Sequence, residues 1–274
     1  MTLRNALEIV TATDVGRLRD HNEDSVGVDI ESGAAVLADG MGGYNAGEVA
    51  SGIAVARLMI ELRGRTARDA AEMTSRNAQE PPLVAFLRAS IDRTNLTIFG
   101  AAQAQPQYAG MGTTLVTALF RDDRVAVAHV GDSRLYRLRG DLFEQITRDH
   151  SVLQEQIDNG ILSREQARFS QNKNLVTRAL GIDRSVVAEI HVYEALPGDI
   201  YLICSDGLSD MVADEDIHLA VSGLREKPQL AADHLVRMAN DQGGRDNVSV
   251  ILVRVLQPYP ASVSFLAKIK SWIQ

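Results

Sequence analysis

The sequence predicts an α+β fold in which two antiparallel sheets pack on each other, with helices on their outer faces. Three observations lead there. The connections Arg121-Asp122-Asp123-Arg124 and Arg139-Gly140-Asp141 are hairpin-like, so the strands they join should run antiparallel. Leu115-Val116-Thr117-Ala118-Leu119-Phe120 and Val125-Ala126-Val127-Ala128 do not alternate between apolar and polar, so both faces of these strands should be covered. Helical apolar periods stand before and after this strand block. Antiparallel strands buried on both sides, with helices at either end of the block, are accommodated by two stacked sheets clothed in helices.

In chain order, residues 7–13 and 25–30 read as short strands flanking the polar segment 16–24, and residues 33–38 as an apolar strand running into Asp39. Asn45, with Glu48 three residues on as in a capping box, opens a helix to about Leu62, whose expected apolar stripe is Val49, Ile53, Ala56 and Ile60. Residues 63–80 are expected to be a loop or weak helix. Pro81-Pro82 suits a helix start, and Leu83, Leu87, Ile91, Thr94 and Ile98 follow at helical spacing. Strands are expected at 113–121, 124–131, 133–139 and 142–147, then two short helical pieces near 151–159 and 163–169. Strands at 186–193 and 199–205 follow. Asp214-Glu215-Asp216 is read as capping a helix that ends at Gly223, and a helix over 228–241 precedes the strand 247–255. These elements make one domain, residues 1–257. The remainder, 258–274, is a tail expected to be helical and to pack on its own domain, with Phe265, Ile269, Trp272 and Ile273 on one face.

Composition excludes several functions. The formal net charge is -8, which opposes a nucleic-acid surface, since phosphate backbones require clustered Lys and Arg. A single cysteine, Cys204, rules out an internal disulfide and fits a reducing compartment; inside a strand pattern it reads as a small buried hydrophobe. Met1 to Val10 lacks the apolar core of a signal peptide, and no run approaches the roughly 18 apolar residues needed to span a bilayer. The expectation is a cytoplasmic monomer with no membrane span.

The chemistry is carried by carboxylates at strand ends. Val36-Leu37-Ala38-Asp39-Gly40-Met41-Gly42-Gly43 is an apolar strand that stops at a carboxylate and is followed by glycines, which let the backbone approach whatever Asp39 binds and leave the Gly40 carbonyl available. Asp-Gly alone is ordinary turn chemistry. The device recurs, however, in Leu202-Ile203-Cys204-Ser205-Asp206-Gly207. Asp132, in Gly131-Asp132-Ser133-Arg134, and Asp246, before Asn247, also stand where strand meets loop, and Glu23 and Asp24 add two more acids. If these converge, their repulsion raises carboxylate pKa values, and a dication reverses that cost. Oxygen ligands without a Cys/His cluster favour Mg2+ or Mn2+ over zinc. Arg19, close to the acids in sequence, could grip a phosphate with two N–H groups or pair with Glu23 or Asp24.

Arg19-x-x-Asn22-Glu23-Asp24, Asp39-Gly40-Met41-Gly42-Gly43, Gly110-Met111-Gly112-Thr113-Thr114, Gly131-Asp132-Ser133-Arg134, Ser205-Asp206-Gly207 and Asp246-Asn247 occur in this order. Together they resemble the metal-dependent serine/threonine protein phosphatases of type 2C, bacterial branch, over about residues 7–255. The resemblance implies a four-layer α/β/β/α sandwich. It implies two Mn2+ or Mg2+ ions bridged by Asp39, with the Gly40 carbonyl on one and Asp206 and Asp246 on the other. Glu23 and Asp24 would act mainly through metal-bound waters, Asp132 with Asp206 would hold a third ion, and residues 151–180 would form a variable flap beside the cleft. It further implies hydrolysis of phosphoserine and phosphothreonine by direct attack of a metal-bridging water, with Arg19 holding the phosphate. The expected partners are phosphorylated proteins, substrates of a serine/threonine kinase, with the kinase itself a candidate.

One position departs from the pattern. Some members, chiefly eukaryotic, carry a histidine after the Asp-Gly, proposed as general acid; here that place is Met41, and none of the six histidines is an obvious substitute. His21 and His150 lie nearest the motifs and are expected to make local structural hydrogen bonds. Two rival readings are weaker. A dinucleotide loop at Gly40-x-Gly42-Gly43 would set Asp39 against a pyrophosphate and demand a parallel sheet. A non-catalytic phosphoprotein-binding module on the same fold should have lost metal ligands, and every expected acid is present.

Overall fold

The computed structural model describes residues 3–43, 46–64, 80–163, 166 and 175–260 of the 274. Its first half runs α1 (Leu3–Ala6), β1 (Leu7–Asp14), β2 (Asp24–Asp29), β3 (Ala34–Met41), α2 (Ala46–Arg63), α3 (Pro82–Ala104), β4 (Gly112–Thr113), β5 (Leu115–Arg121) and β6 (Arg124–Val130). The second runs β7 (Arg134–Arg139), β8 (Leu142–Gln145), α4 (Val152–Asp158), β9 (Glu189–Glu194), β10 (Ile200–Cys204), α5 (Asp206–Ser209), α6 (Asp214–Gly223), α7 (Pro228–Asp241) and β11 (Val248–Val255). One sheet has the order β1-β11-β10-β7-β8; the other has the order β2-β3-β5-β6-β9, with β4 attached to β3. All the strand pairings are antiparallel.

Three apolar cores separate four layers. Side chains on successive strand residues point to opposite faces, and in β3 this sends Leu37 between the sheets and Val36 and Ala38 towards α2 and α3. In β10, Tyr201 and Ile203 enter the inter-sheet core, while Leu202 and Cys204 face α6 and α7. That is why these strands lack polar alternation. Phe120 of β5 meets Tyr201 of β10 edge-on across the sheets, with centroids 5.2 Å apart. Cys204 is fully buried, and burial pushes its thiol pKa up to about 12, so it behaves as the expected small hydrophobe.

The Arg121–Arg124 hairpin closes with Asp122 at φ 53° and Asp123 at φ 57°, the two left-handed residues of a turn whose twist matches that of the flanking strands. The stripe expected on α2 is corrected. Its buried face is Ala46, Gly47, Ala50, Ala54, Leu58 and Leu62, while Val49 and Ile53 pack only at the edge and Ile60 is 63% exposed. The helix is apolar nearly all round, so its period could not select a face; the small residues do, by letting the helix lie close on the sheet. The acids at 214–216 occupy the first turn of α6 and Ala213 is the capping position, with Asp214 accepting from the Tyr136 hydroxyl at 2.9 Å. The expectations for Asn45, most of 63–80 and 163–169, and the 261–274 tail lie outside the described residues. Beyond β11, Tyr259 is buried on the inter-sheet core and its hydroxyl donates to the Arg124 carbonyl. Among the described residues, no helix is long and apolar enough to cross a membrane.

Candidate active site

The acids gather because both sheets end at the same rim. Asp24 opens β2 directly opposite Asp39 near the end of β3, which brings both to one edge of the six-stranded sheet. Asp206 follows β10 and Asp246 precedes β11, and those two strands are paired in the other sheet. Asp132 lies on the connection from β6 to β7, where the chain crosses from one sheet to the other.

Close backbone contacts fix the rim. A Cβ on Gly40 would lie 2.1 Å from the Gly47 carbonyl oxygen of α2, and one on Gly207 would lie 2.0 Å from the Asn247 carbonyl oxygen, so glycine is required at both places. The Asp39 carbonyl accepts from the Thr114 amide (2.8 Å) and the Thr113 hydroxyl (2.8 Å), while the Asp39 amide donates to Thr114 Oγ1 (3.0 Å). Thr114 Oγ1 is in turn 2.7 Å from Ser133 Oγ, next to Asp132. Asn247 braces the other side: its Oδ1 accepts from the Glu23 amide (2.8 Å), and its Nδ2 donates to the carbonyls of Val15 and His21 (both 2.9 Å). Ser51 of α2 donates to the Glu23 carbonyl. Ser51, Thr114, Ser133 and Asn247 as braces were beyond sequence reasoning, because each reaches across the fold to a motif remote in the chain.

Among the described residues the carboxylates are not matched one for one by cations: Arg19 pairs with Asp246, and Arg134 only partly offsets Asp132. Burial raises the Asp39 pKa well above the usual range, and the charges of Asp24, Asp206, Asp132 and Asp246 raise it further. Asp206 is likewise raised well above its usual value by burial, then by Asp132, Asp210, Asp246 and Asp24. Burial lifts Asp24 to about 6, against hydrogen bonds from Ser249 and Ser205; it lifts Asp132 to about 7, helped by the Asp149 charge. Glu23 is raised mainly by burial. Asp24 Oδ2 accepts from Ser205 Oγ at 2.8 Å, but Asp24 Oδ1 is buried with no partner. An all-oxygen donor set, mutual repulsion and an orphaned buried carboxylate oxygen together fit hard divalent cations.

Arg19 stands at the rim with its Nη2 2.7 Å from Asp246 Oδ2, and its side chain is 50% exposed. Its ion-pair partner is therefore Asp246, rather than Glu23 or Asp24 as weighed from the sequence. That bond is the main cause of a raised Arg19 pKa. Met41 continues β3 opposite Gly112 and brings no proton-donating group. His150 has the structural role expected of it: buried, it accepts the Gly131 amide at Nδ1 (3.2 Å). His21 contributes its backbone carbonyl to Asn247.

A pocket of about 440 Å³ opens beside Asp132 and Asp206, walled on one side by Leu153, Gln154 and Ile157 of α4. The N-terminus of α4 is capped by Ser151, which accepts from the Gln154 amide. Another group of potential metal donors, His129, His150 and Glu189, lies within 4.8 Å of one another. The two imidazoles are stacked 4.7 Å apart with planes only 18° from parallel, so one ion could not lie in both ring planes.

A two-sheet sandwich with an oxygen-lined acidic rim and a neighbouring arginine defines a metal-dependent phosphate-ester hydrolase. The family model described as protein phosphatase 2C matches residues 17–245. This chain belongs to that family, the serine/threonine protein phosphatases of type 2C, and is a hydrolase. It is 37% identical over 244 residues to the serine/threonine phosphatase Stp of Listeria innocua, covering 88% of this chain and 93% of the relative. The crystal structure of Mycobacterium tuberculosis serine/threonine phosphatase PstP superposes with a TM-score of 0.80 at 36% identity, covering 92% of this chain and 100% of that one. The catalytic domain of PstP in complex with two manganese ions is equally similar, with a TM-score of 0.80, 36% identity, and 92% and 99% covered.

Proposed function

We propose that this protein removes phosphate from phosphoserine and phosphothreonine side chains of proteins by direct attack of water on phosphorus, without a phosphoenzyme. The observation that carries this is the set of buried, mutually repelling aspartates with Arg19 half-exposed at their rim. Asp39 and the Gly40 carbonyl, with Asp206 and Asp246, would hold two divalent ions, Mn2+ or Mg2+. Glu23 and Asp24 would act through water, and Asp132 with Asp206 would hold a third ion. Bound there, such ions acidify water to a nucleophile at neutral pH and neutralise phosphate charge.

The chain's own residues do the rest. Arg19 grips the phosphate oxygens while its bond to Asp246 fixes its direction. Asn247, Thr114 and Ser133 hold the acids in place, so little reorganisation accompanies reaction. Met41 gives no proton to the leaving oxygen, and Asp132, as a holder of the third ion, would position the water that does. Residues 1–257 form the catalytic domain, 151–180 its flap and 258–274 a C-terminal tail, of which Tyr259 still packs on that domain. The substrates are phosphoproteins made by a serine/threonine kinase, the kinase itself included. The protein works as a cytoplasmic monomer in signalling.

The test is release of phosphate from phosphoserine, phosphothreonine and phosphotyrosine peptides with and without Mn2+. Release from the first two that depends on metal supports the proposal. Tight peptide binding with no release under any metal condition would favour the non-catalytic binding module instead.

A further inference from the structure

We infer that Arg17 and Arg245 form an anion subsite on the active-site rim, taking a carboxylate or second phosphate that the substrate carries near its phosphorylated residue; this rests on the reading of Arg19 as the phosphate grip. Many arginines elsewhere are matched with carboxylates, while Arg124, Arg178, Arg184 and Arg237 have no carboxylate ion-pair partner among the described residues. Arg4, Arg88, Arg134, Arg137, Arg139 and Arg254 each have a carboxylate oxygen within 2.9 Å. Arg17 and Arg245 are exposed, and neither has an ion-pair partner among the described residues, although acids outnumber bases 36 to 28. What sets Arg17 and Arg245 apart from the other unmatched arginines is their place on the two segments that carry Arg19 and Asp246.

Backbone contacts fix their position. The Arg17 amide donates to the Gly244 carbonyl (2.7 Å), and Asn247 Nδ2 donates to the Val15 carbonyl (2.9 Å). A Cβ on Gly16 would lie 2.3 Å from the Asp246 carbonyl oxygen, so segments 15–17 and 244–247 touch along their backbones. Arg17 is two residues from Arg19, a Cα separation of at most roughly 7 Å. Arg245 adjoins Asp246, the residue that Arg19 holds. The wall on the Asp132 and Asp206 side is the reverse in sign. Asp149, Asp210, Asp214 and Asp216 line the pocket there, and its one arginine, Arg134, is bound to Asp149 at 2.7 Å. A peptide crossing the site meets carboxylates in that pocket and, on the segments that carry Arg19 and Asp246, exposed arginines without a carboxylate partner. An acidic neighbour of the phosphorylated residue is repelled by the first side and accommodated by the second, where the fork of donors suits carboxylate and phosphate alike.

The experiment compares the parent with the Arg17→Ala/Arg245→Ala double variant at saturating Mn2+. The substrates are phosphothreonine peptides with neutral flanks, glutamate flanks or a second phosphothreonine nearby, together with nitrophenyl phosphate. The parent should show kcat/KM about tenfold higher on the anionic peptides, mainly through KM, as expected of one charge-assisted contact. The double variant should lose that preference while keeping its turnover of the neutral peptide and the aryl ester. Arg17→Glu/Arg245→Glu should turn the preference towards lysine-flanked peptides. An effect confined to the doubly phosphorylated peptide assigns the subsite to phosphate, and an effect on both assigns it to anions generally. No preference in the parent, or a preference that survives both double variants, overturns the inference. Absence of phosphate release from every substrate by the parent would strike the phosphatase reading itself.

Discussion

Two sets of buried carboxylates in this molecule are treated in opposite ways. Asp199, 1% exposed at the start of β10, receives Arg139 at both oxygens (2.8 and 2.7 Å), the Leu196 amide (2.8 Å) and the Tyr201 hydroxyl (3.0 Å). Asp24, Asp39, Asp132 and Asp206 crowd at the other rim, raised by burial and one another, with one oxygen of Asp24 wholly unpartnered. A carboxylate that holds a fold together is satisfied by the chain itself. One that awaits a ligand is left unsatisfied, and the fold bears the cost elsewhere.

The contrast can be broken by substitution. Asp39→Ala and Asp246→Ala should each lower turnover by about a thousandfold or more, as removal of chelated metal should, because the acidified water disappears with the ion. Neither should unfold the protein, and Asp39→Ala should leave the metal-free protein at least as stable as the parent, since a repelled charge is removed. Parent-like turnover in either variant, or after verified removal of metal, would refute the two-ion site. Asp199→Ala should do the reverse. It should destabilise the fold by about 3 kcal/mol in denaturant titrations, towards the low end for a broken buried pair because Arg139 is partly exposed, while kcat of the folded fraction stays near the parent's.

Arg19→Ala should slow turnover by about a hundredfold, the order seen on removing one donor to developing charge, and Arg19→Lys should recover part of it. Metal content measured in parallel should not change. Kinetics unaltered by Arg19→Ala would reduce Arg19 to a structural partner of Asp246. A smaller effect is expected at Asp132. Its loss should slow phosphoserine peptides about tenfold more than nitrophenyl phosphate, because an aryl oxide, with a phenol pKa of about 10, leaves without help. Equal losses on both substrates would remove Asp132 from protonation of the leaving group.

The mildest effect concerns pH. Asp24 and Asp132 have folded-state pKa values of about 6 and 7, above the unfolded value of about 3.9. Their contribution to stability is therefore fully present below about pH 4 and is lost as the pH rises through 6 and 7. His129 and His150, lowered by burial, push the other way on acidification, so the raw melting curve mixes the two. The rise in Tm caused by Mn2+ separates them, because ligands must be deprotonated to bind. It should be several degrees larger at pH 8 than at pH 5.5. A Tm rise independent of pH would mean that these acids are not where the metal binds.

Much of this was legible in the chain itself. Hairpin connections and strands without polar alternation sufficed for two stacked antiparallel sheets, because covering both faces of a strand leaves a direct mark on its residues. Strand-end aspartates followed by glycine marked the rim for the same reason: Asp39-Gly40 and Asp206-Gly207 need close backbone approach, and only glycine permits it. The buried face of α2 was not legible, since its small and large apolar residues surround the axis and only the sheet beneath could choose among them. Nor was the partner of Arg19, which lies 227 residues away at Asp246. The sequence alone determined the layers, the acids and the chemistry they suit, because each is written in residue type and local spacing. The tertiary structure decided which acid meets which partner, which carboxylate stays unsatisfied and where the guanidinium groups stand open, because those depend on how two sheets bring distant strand ends to one rim.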